Sequence, residues 1–279
     1  MQARLQLPTK AGIDAPEDQQ MTGYVYAVPR ALEFPVGRPL DLPVGLADEI
    51  ERHWTGSKLR SPHIFDGEIL NATSLAHGPG QQAQILLRPA RFSHYLYGQA
   101  NKLPSRDMCR SVAVNAVMKT VDNFYVLARM GAGSTFQRRI KFIGGAASPE
   151  DIRDGLFQPK QCLAREFSEE LGLAMPDVAG EPFRPHFTTR PSFNILNVSY
   201  QLNLKVGRGA LEEAANFASD RTSAGPAEVD ELLFLESTEA GLAAFQDSWA
   251  GDCLDYVLPL LQALVAGGNA GPLREDMFR

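Results

Sequence analysis

Between Lys160 and Leu173 the chain carries a pattern that admits one local structure. Leu163, Phe167 and Leu171 recur every four residues with Ala164 beside them, an apolar stripe of helical period. Gly172 follows the stripe directly, where a left-handed cap ends a helix. The same helix carries Glu166, Glu169 and Glu170 at spacings of three and four, which brings their β-carbons within about 5–6 Å of one another. Like charges so placed oppose one another by roughly 0.2–0.5 kcal/mol per pair. A chain that keeps three of them is matched to a hard divalent cation, Mg²⁺ by default or Mn²⁺ in its place, held by carboxylates, water and substrate phosphate. The plainer reading is a solvated acidic face with one ion pair, Arg165 to Glu169 at i,i+4.

The surroundings favour the first reading. Gln137 to Ile143 reads as a strand and leads into Gly144-Gly145, and the helix closes as Leu171-Gly172-Leu173. The whole resembles the Nudix box: glycine, five residues, Glu, seven residues, then Arg-Glu-apolar-x-Glu-Glu-x-Gly-apolar in a loop–helix–loop. The helix half is matched by Arg165, Glu166, Phe167, Glu169, Glu170, Gly172 and Leu173. The loop half departs: counted from Gly145 the first Glu falls on Asp151, counted back from Arg165 it falls on Phe157, so six extra residues lie within Ile152 to Pro159.

The resemblance implies an α/β fold, an α/β/α sandwich with a mixed sheet, and Mg²⁺-dependent hydrolysis of a nucleoside diphosphate linked to another moiety. It implies Glu166, Glu169 and Glu170 as metal ligands, one of them also orienting or deprotonating water. Arg165 would fix a glutamate, and Gly144 and Gly145 would let backbone approach the site. Arg139 and Lys141 share one face of the expected strand and are candidates for substrate phosphate. Glu212, Glu213, Glu228 and Glu231 lie where the family often draws a further carboxylate, although an exposed acidic loop describes each of them more simply. A rival reading is a retired domain of this kind that binds nucleotide without cleaving it. An isomerase on a similar scaffold would need a catalytic cysteine, for which Cys109 and Cys162 show no motif.

Composition bounds the rest. A net charge of −6 and the lack of a basic patch argue against a nucleic-acid surface. Three scattered cysteines without C-x-x-C point to a reducing compartment and no zinc site. No run of apolar residues is long enough to span a bilayer, and a cytoplasmic protein is expected; the oligomeric state is left open. No histidine pair, G-x-S-x-G or P-loop motif occurs.

A composition shift at Asn101–Asp107 divides an N-terminal α+β extension, residues 1–106, from a hydrolase domain, residues 107–279. In the first part, residues 1–20 read as a loose arm, Leu46 to Trp54 as a short helix, and Phe65–Leu70 and Gln84–Arg88 as strands about a Gly/Pro turn. Phe65-Asp-Gly-Glu-Ile-Leu followed by Arg91-Phe-Ser-His-Tyr-Leu-Tyr-Gly bears a fainter likeness to the extension of Nudix hydrolases that cleave UDP-sugars. Tyr95 and Tyr97 in that run read as core filler before they read as a base-stacking pair. In the second part, Val112–Met118, Phe124–Ala128, Phe193–Leu204 and Leu232–Leu235 read as strands, and Glu239–Trp249 and Cys253–Ala266 as closing helices, the last bent at Pro259.

Overall fold

The structure, a computed structural model, describes residues 25–27, 32–60, 64–77, 83–104, 106–131, 134, 136–190, 194–219, 228–267 and 271–272. The expected arm at 1–20, the turn at 78–82 and most of the loop at 219–227 lie outside them. The strands are β1 Val25–Ala27, β2 Leu32–Glu33, β3 Glu68–His77, β4 Ala83–Arg91, β5 Ser111–Lys119, β6 Phe124–Met130 and β7 Ile140–Lys141. They continue as β8 Ile143–Ala146, β9 Ile152–Arg153, β10 Leu156–Phe157, β11 Phe183–Arg190, β12 Ile195–Asn203, β13 Val229–Glu236 and β14 Gly271–Pro272. The helices are α1 Leu46–Arg60, α2 Phe92–Asn101, α3 Pro159–Leu171, α4 Met175–Val178, α5 Arg208–Ser219, α6 Glu239–Trp249 and α7 Val257–Val265.

β5 is the strand on which the others converge. It runs parallel to β12 along its whole length, from Ser111 opposite Ile195 to Lys119 opposite Asn203, and antiparallel to β3, β6 and β8 on its other edge. The larger sheet is mixed, with the order β14-β1-β11-β12-β5-β3-β4-β2 and β13-β6 branching from β5. Alternation along β5 divides the molecule. Val112, Val114, Ala116 and Met118 enter the core that also takes Leu163, Phe167 and Leu171 of α3 and Leu211 of α5. Val117 faces the opposite core, with Leu242 and Phe245 of α6 and Val257, Leu260 and Leu261 of α7. Helices therefore cover both faces of a mixed sheet, the α/β/α arrangement that period-two strands and amphipathic helices favour.

The segments on either side of residue 106 share that sheet and that core. β3 pairs with β5 through Asn71 and Ser111, and Phe34, Leu70, Ile85 and Leu87 pack in the same cluster as Val112 and Val114. One segment that the sequence left without an element gains one, and one local expectation is corrected. Arg91–Gly98 belongs to the end of β4 and to a helix, α2, whose first turn is held by Asp66: its Oδ1 accepts the Ser93 N–H at 2.7 Å and its Oδ2 accepts Arg91 Nε at 2.9 Å. Pro259 does not bend the last helix, because α7 starts at Val257 and places the proline in the first turn, where its missing N–H has no intrahelical partner to lose.

Candidate active site

α3 is built as its sequence demands. Pro159 opens it at N1, Cys162, Leu163, Phe167 and Leu171 are buried, and Gly172 at φ 65° ends it with its N–H on the Ser168 carbonyl at 2.8 Å. Glu166 and Glu170 border that stripe on one side, and Arg165 and Glu169 lie farther round the helix. Beneath Glu166 and Glu170 lies β8, and here the glycine pair has a steric purpose. Gly144, at φ 140°, crosses so close to β5 that a β-carbon would collide with the Val114 carbonyl and come within 2.8 Å of Asn115 Cα. A β-carbon on Gly145 would collide with the Glu166 carboxylate, whose Oε1 would lie 2.6 Å away. A wall without side chains thus lets two helix carboxylates reach through.

Each carboxylate meets a different fate. Glu170 is enclosed: Lys141 Nζ lies 2.7 Å from Oε1, and the Gly144 N–H donates to Oε2 at 2.9 Å. The same ammonium donates to the Gly144 carbonyl. Glu169 is 57% exposed and takes Arg165 Nη1 on Oε2 at 3.0 Å. Glu166 is only 12% exposed and receives Arg165 Nη1 on Oε1 at 2.8 Å. Burial foremost, and the neighbouring charges of Glu170 and Glu169 as well, push the Glu166 carboxyl up to about 7 despite the opposing pull of Arg165.

Arg165 is the hub of this face. Its Nη2 meets Asp151 Oδ2 at 2.9 Å, and its Nε meets Glu150 Oε1 at 3.3 Å, besides the contacts to Glu166 and Glu169. Burial works against its charge, but the Asp151 hydrogen bonds and the surrounding carboxylates outweigh burial and hold it above the ordinary arginine range. Asp151 is buried and is the residue that the count from Gly145 puts in the first-Glu position. The six extra residues explain how that is possible. Ile152–Phe157 forms a hairpin, β9 against β10, turned at Asp154 (φ 51°) and Gly155 (φ 74°), the left-handed pair that an Asp-Gly turn favours. Its base is closed by the Gln158 N–H on the Asp151 carbonyl at 2.9 Å, so the chain leaves and rejoins the loop beside Asp151. Phe157 packs edge-on against Phe34, with ring centroids 5.9 Å apart. The insertion is pinned to the 34–36 segment by the Phe157 N–H on the Phe34 carbonyl and the Val36 N–H on the Gly155 carbonyl, both at 2.9 Å, and the Asp-Gly pair was its signal in the sequence.

Glu166, Glu170, Lys141 and the glycine pair form one side of a cavity of about 510 Å³. Ser111, Ala113 and Asn115 of β5 face it, with Lys141, the glycine pair, Glu166, Glu170 and Glu228 at its acidic end. At the other end are Phe92, Tyr95 and Leu96 of α2, Phe136 and Ile195. Phe92 and Tyr95 lie nearly parallel, 22° apart with centroids at 5.9 Å. On the cavity wall Asn115 donates to Asn197 Oδ1 at 3.1 Å and accepts from Tyr256 at 3.2 Å, which leaves Asn197 Nδ2 buried without a protein partner.

Of the expected residues, Glu166, Glu170, Lys141, Gly144 and Gly145 meet at this cavity, and Glu169 flanks it through Arg165. Arg139 does not. The expected strand Gln137–Ile143 is cut back to Ile140–Lys141 by a turn with Arg138 at φ 63°, so Arg139 lies outside it, and its Nη2 donates to the Cys253 carbonyl. Among the further carboxylates Glu228 lines the cavity, its carboxyl raised by burial and by Glu170, whereas Glu231 faces Arg129 at 3.6 Å and Glu212 and Glu213 are exposed on α5. Cys109, Cys162 and Cys253 are free and buried, with burial pushing the thiols of Cys109 and Cys253 up to about 12, which is no setting for a nucleophile. Phe92, Asn115, Phe136 and Asn197 were missed; no spacing rule marks residues that meet only across strands.

Among the described residues no three carboxylate, histidine or cysteine groups come close enough to hold a metal as they stand. Glu170 is committed on both oxygens. Toward the described residues Glu166 and Glu169 each keep an oxygen free of hydrogen bonds, and Glu166 carries the electrostatic penalty that a bound cation relieves. Since Mg²⁺ retains several waters and needs only one or two carboxylates beside substrate phosphate, this pair fits one divalent ion. No helix among the described residues is long and apolar enough to cross a membrane.

No family model matches the chain, and no curated protein matches it. Solved structures do. The MutT protein from Methanosarcina mazei Go1 is 14% identical, with 56% of this chain and 94% of that one covered at a TM-score of 0.36. An ADP-ribose pyrophosphatase from Streptococcus suis 89-1591 is 12% identical, with 59% and 96% covered and a TM-score of 0.31. The NUDIX domain of Shewanella oneidensis NrtR, complexed with ADP ribose, is 14% identical, with 60% and 94% covered and a TM-score of 0.33. At these scores the likeness carries no weight on chemistry.

Proposed function

We propose that this chain is a Nudix-type hydrolase that cleaves the diphosphate of a nucleoside diphosphate derivative in the cavity beside α3. The observation that carries the reading is Glu166: a helix carboxylate, buried, reaching past a side-chain-free glycine into a chamber whose far end is aromatic. The volume, about 510 Å³, is in the range of small-molecule sites. Its two ends suit the two ends of such a substrate. Phe92 and Tyr95 offer flat surface to a base, and Asn197 Nδ2 offers a donor to a ring carbonyl. The acidic end takes the diphosphate together with a cation.

Glu166 and Glu169 would hold that cation, Mg²⁺ or Mn²⁺, which when bound neutralises phosphate charge and lowers the barrier to attack by water. Arg165 orients both carboxylates at once through a single nitrogen, Nη1. Glu228, which lines the cavity and has no ion pair with the described residues, would accept the proton of the attacking water. The narrower substrate reading is a nucleotide-sugar, a UDP-sugar in particular, and the contribution of α2 to the chamber supports a specificity role for the N-terminal segment. A panel of UDP-glucose, ADP-ribose, NADH and CoA with Mg²⁺, read by phosphate released after phosphatase treatment, tests both levels. Turnover of any one supports the class, and UDP-glucose supports the narrower reading.

One observation favours the rival of binding without cleavage: Lys141 already neutralises Glu170. A protein that binds nucleotide in calorimetry and cleaves nothing in the panel would be that module.

A further inference from the structure

Lys141 is a buried lysine in an unusual position. It lies on β7, is 10% exposed, and its ammonium touches two acceptors, the Gly144 carbonyl and Glu170 Oε1, while Glu170 Oε2 is filled by the Gly144 N–H. An ammonium taken out of water needs compensation of this quality, because desolvation of each charge amounts to several kcal/mol. The acceptors also have a distinctive chemistry. A backbone carbonyl and a carboxylate oxygen converging on one point, with Glu166 and Glu228 along the same cavity, make a hard-cation position formed only of oxygen. That point holds the ammonium of the chain itself.

We propose that Lys141 Nζ is a resident cation that fills the oxygen position between Gly144 and Glu170, so that Glu170 is no divalent-metal ligand in this chain and the site's metal capacity rests on Glu166. This deepens the hydrolase reading of the same cavity and corrects the expectation that all three helix glutamates share the ion. The charge that Lys141 supplies is fixed, single and independent of metal supply, and it lies at the diphosphate end of the cavity. Removal of the lysine leaves a carbonyl and a carboxylate facing an empty, negatively charged position, which a divalent ion enters.

Mn²⁺ binding followed by electron paramagnetic resonance on the full chain separates the cases without any assay of turnover. In the wild-type background Glu170→Gln leaves Mn²⁺ affinity within about twofold, while Glu166→Gln lowers it by about tenfold or more. Lys141→Met gains one Mn²⁺ equivalent, and Glu170→Gln in that background removes it. Loss of wild-type affinity in Glu170→Gln as large as in Glu166→Gln would overturn the proposal, since the lysine would then be yielding its place to the ion. So would a Lys141→Met protein that is folded by circular dichroism and gains no ion. Should Lys141→Met fail to fold, the two glutamine variants decide alone, because both keep the lysine. A wild-type chain that binds no Mn²⁺ at all, with a Lys141→Met chain that does, supports the resident cation while removing the metal-dependent hydrolase reading.

Discussion

Gly145 and Glu166 interlock: the Glu166 carboxylate occupies the space in which a β-carbon on Gly145 would stand. The contact ties strand β8 to helix α3 at the cavity edge and makes the position of Glu166 depend on a missing side chain. Gly145→Ala is expected to push Glu166 off its present position, with a loss of stability of about 1–3 kcal/mol from overpacking and a larger fractional loss of turnover than of substrate binding. Thermal melts and a kcat–KM split check it; wild-type kcat in a folded variant would disprove the interlock's importance.

The Glu166 carboxyl, raised from 4.5 to about 7, makes stability depend on pH. With the folded value above the unfolded one, the folded state holds the proton more firmly, so the contribution is fully present below 4.5 and is lost as pH rises through 7. In metal-free buffer the melting temperature is expected to fall between those values by on the order of 5 °C, and the slope to vanish in Glu166→Gln. Mn²⁺ should restore stability at pH 8 in the wild type alone. An equal slope in the glutamine variant would assign the effect elsewhere.

Arg165 serves Asp151, Glu166 and Glu169 with one planar group, a task for which a lysine has neither the fork nor the reach. Arg165→Lys is expected to lower stability by about 2 kcal/mol, because hydrogen bonds between charged groups are lost and Asp151 is left buried. Turnover should fall further than in Asp151→Asn, which keeps Arg165 on the glutamates. Urea unfolding and steady-state rates of the two variants make the comparison.

Asp66 holds the first turn of α2, the helix that brings Phe92 and Tyr95 to the chamber. Asp66→Ala is expected to cost about 1 kcal/mol, as for a lost helix cap, and to raise KM while kcat stays near wild type. Phe92→Ala should raise KM by about tenfold through lost stacking. If both change kcat and leave KM alone, α2 does not bind the substrate.

The amphipathic period, the glycine cap and the three glutamates made α3 legible from sequence, because residues three and four apart must share a face of any helix. β5, β6, β12 and α6 were legible for the same kind of reason, and the extra residues of the loop could be counted. Their form as a hairpin was not read, although Asp154-Gly155 is a turn signal, and their packing on Phe34 required the fold. What the linear pattern left undetermined was the allotment of partners. Three carboxylates equivalent by spacing became three different groups: one closed by Lys141, one exposed beside Arg165, and one buried against Gly145. That difference came from β7, β8 and the loop at Asp151, segments whose approach to α3 depends on strand pairing across β5. The turn at Arg138 that removed Arg139 and kept Lys141 is of the same origin. Short-range periodicity decides which side chains leave one face of an element; charge neutralisation and burial depend on what the rest of the chain lays against that face, and this the tertiary structure decided.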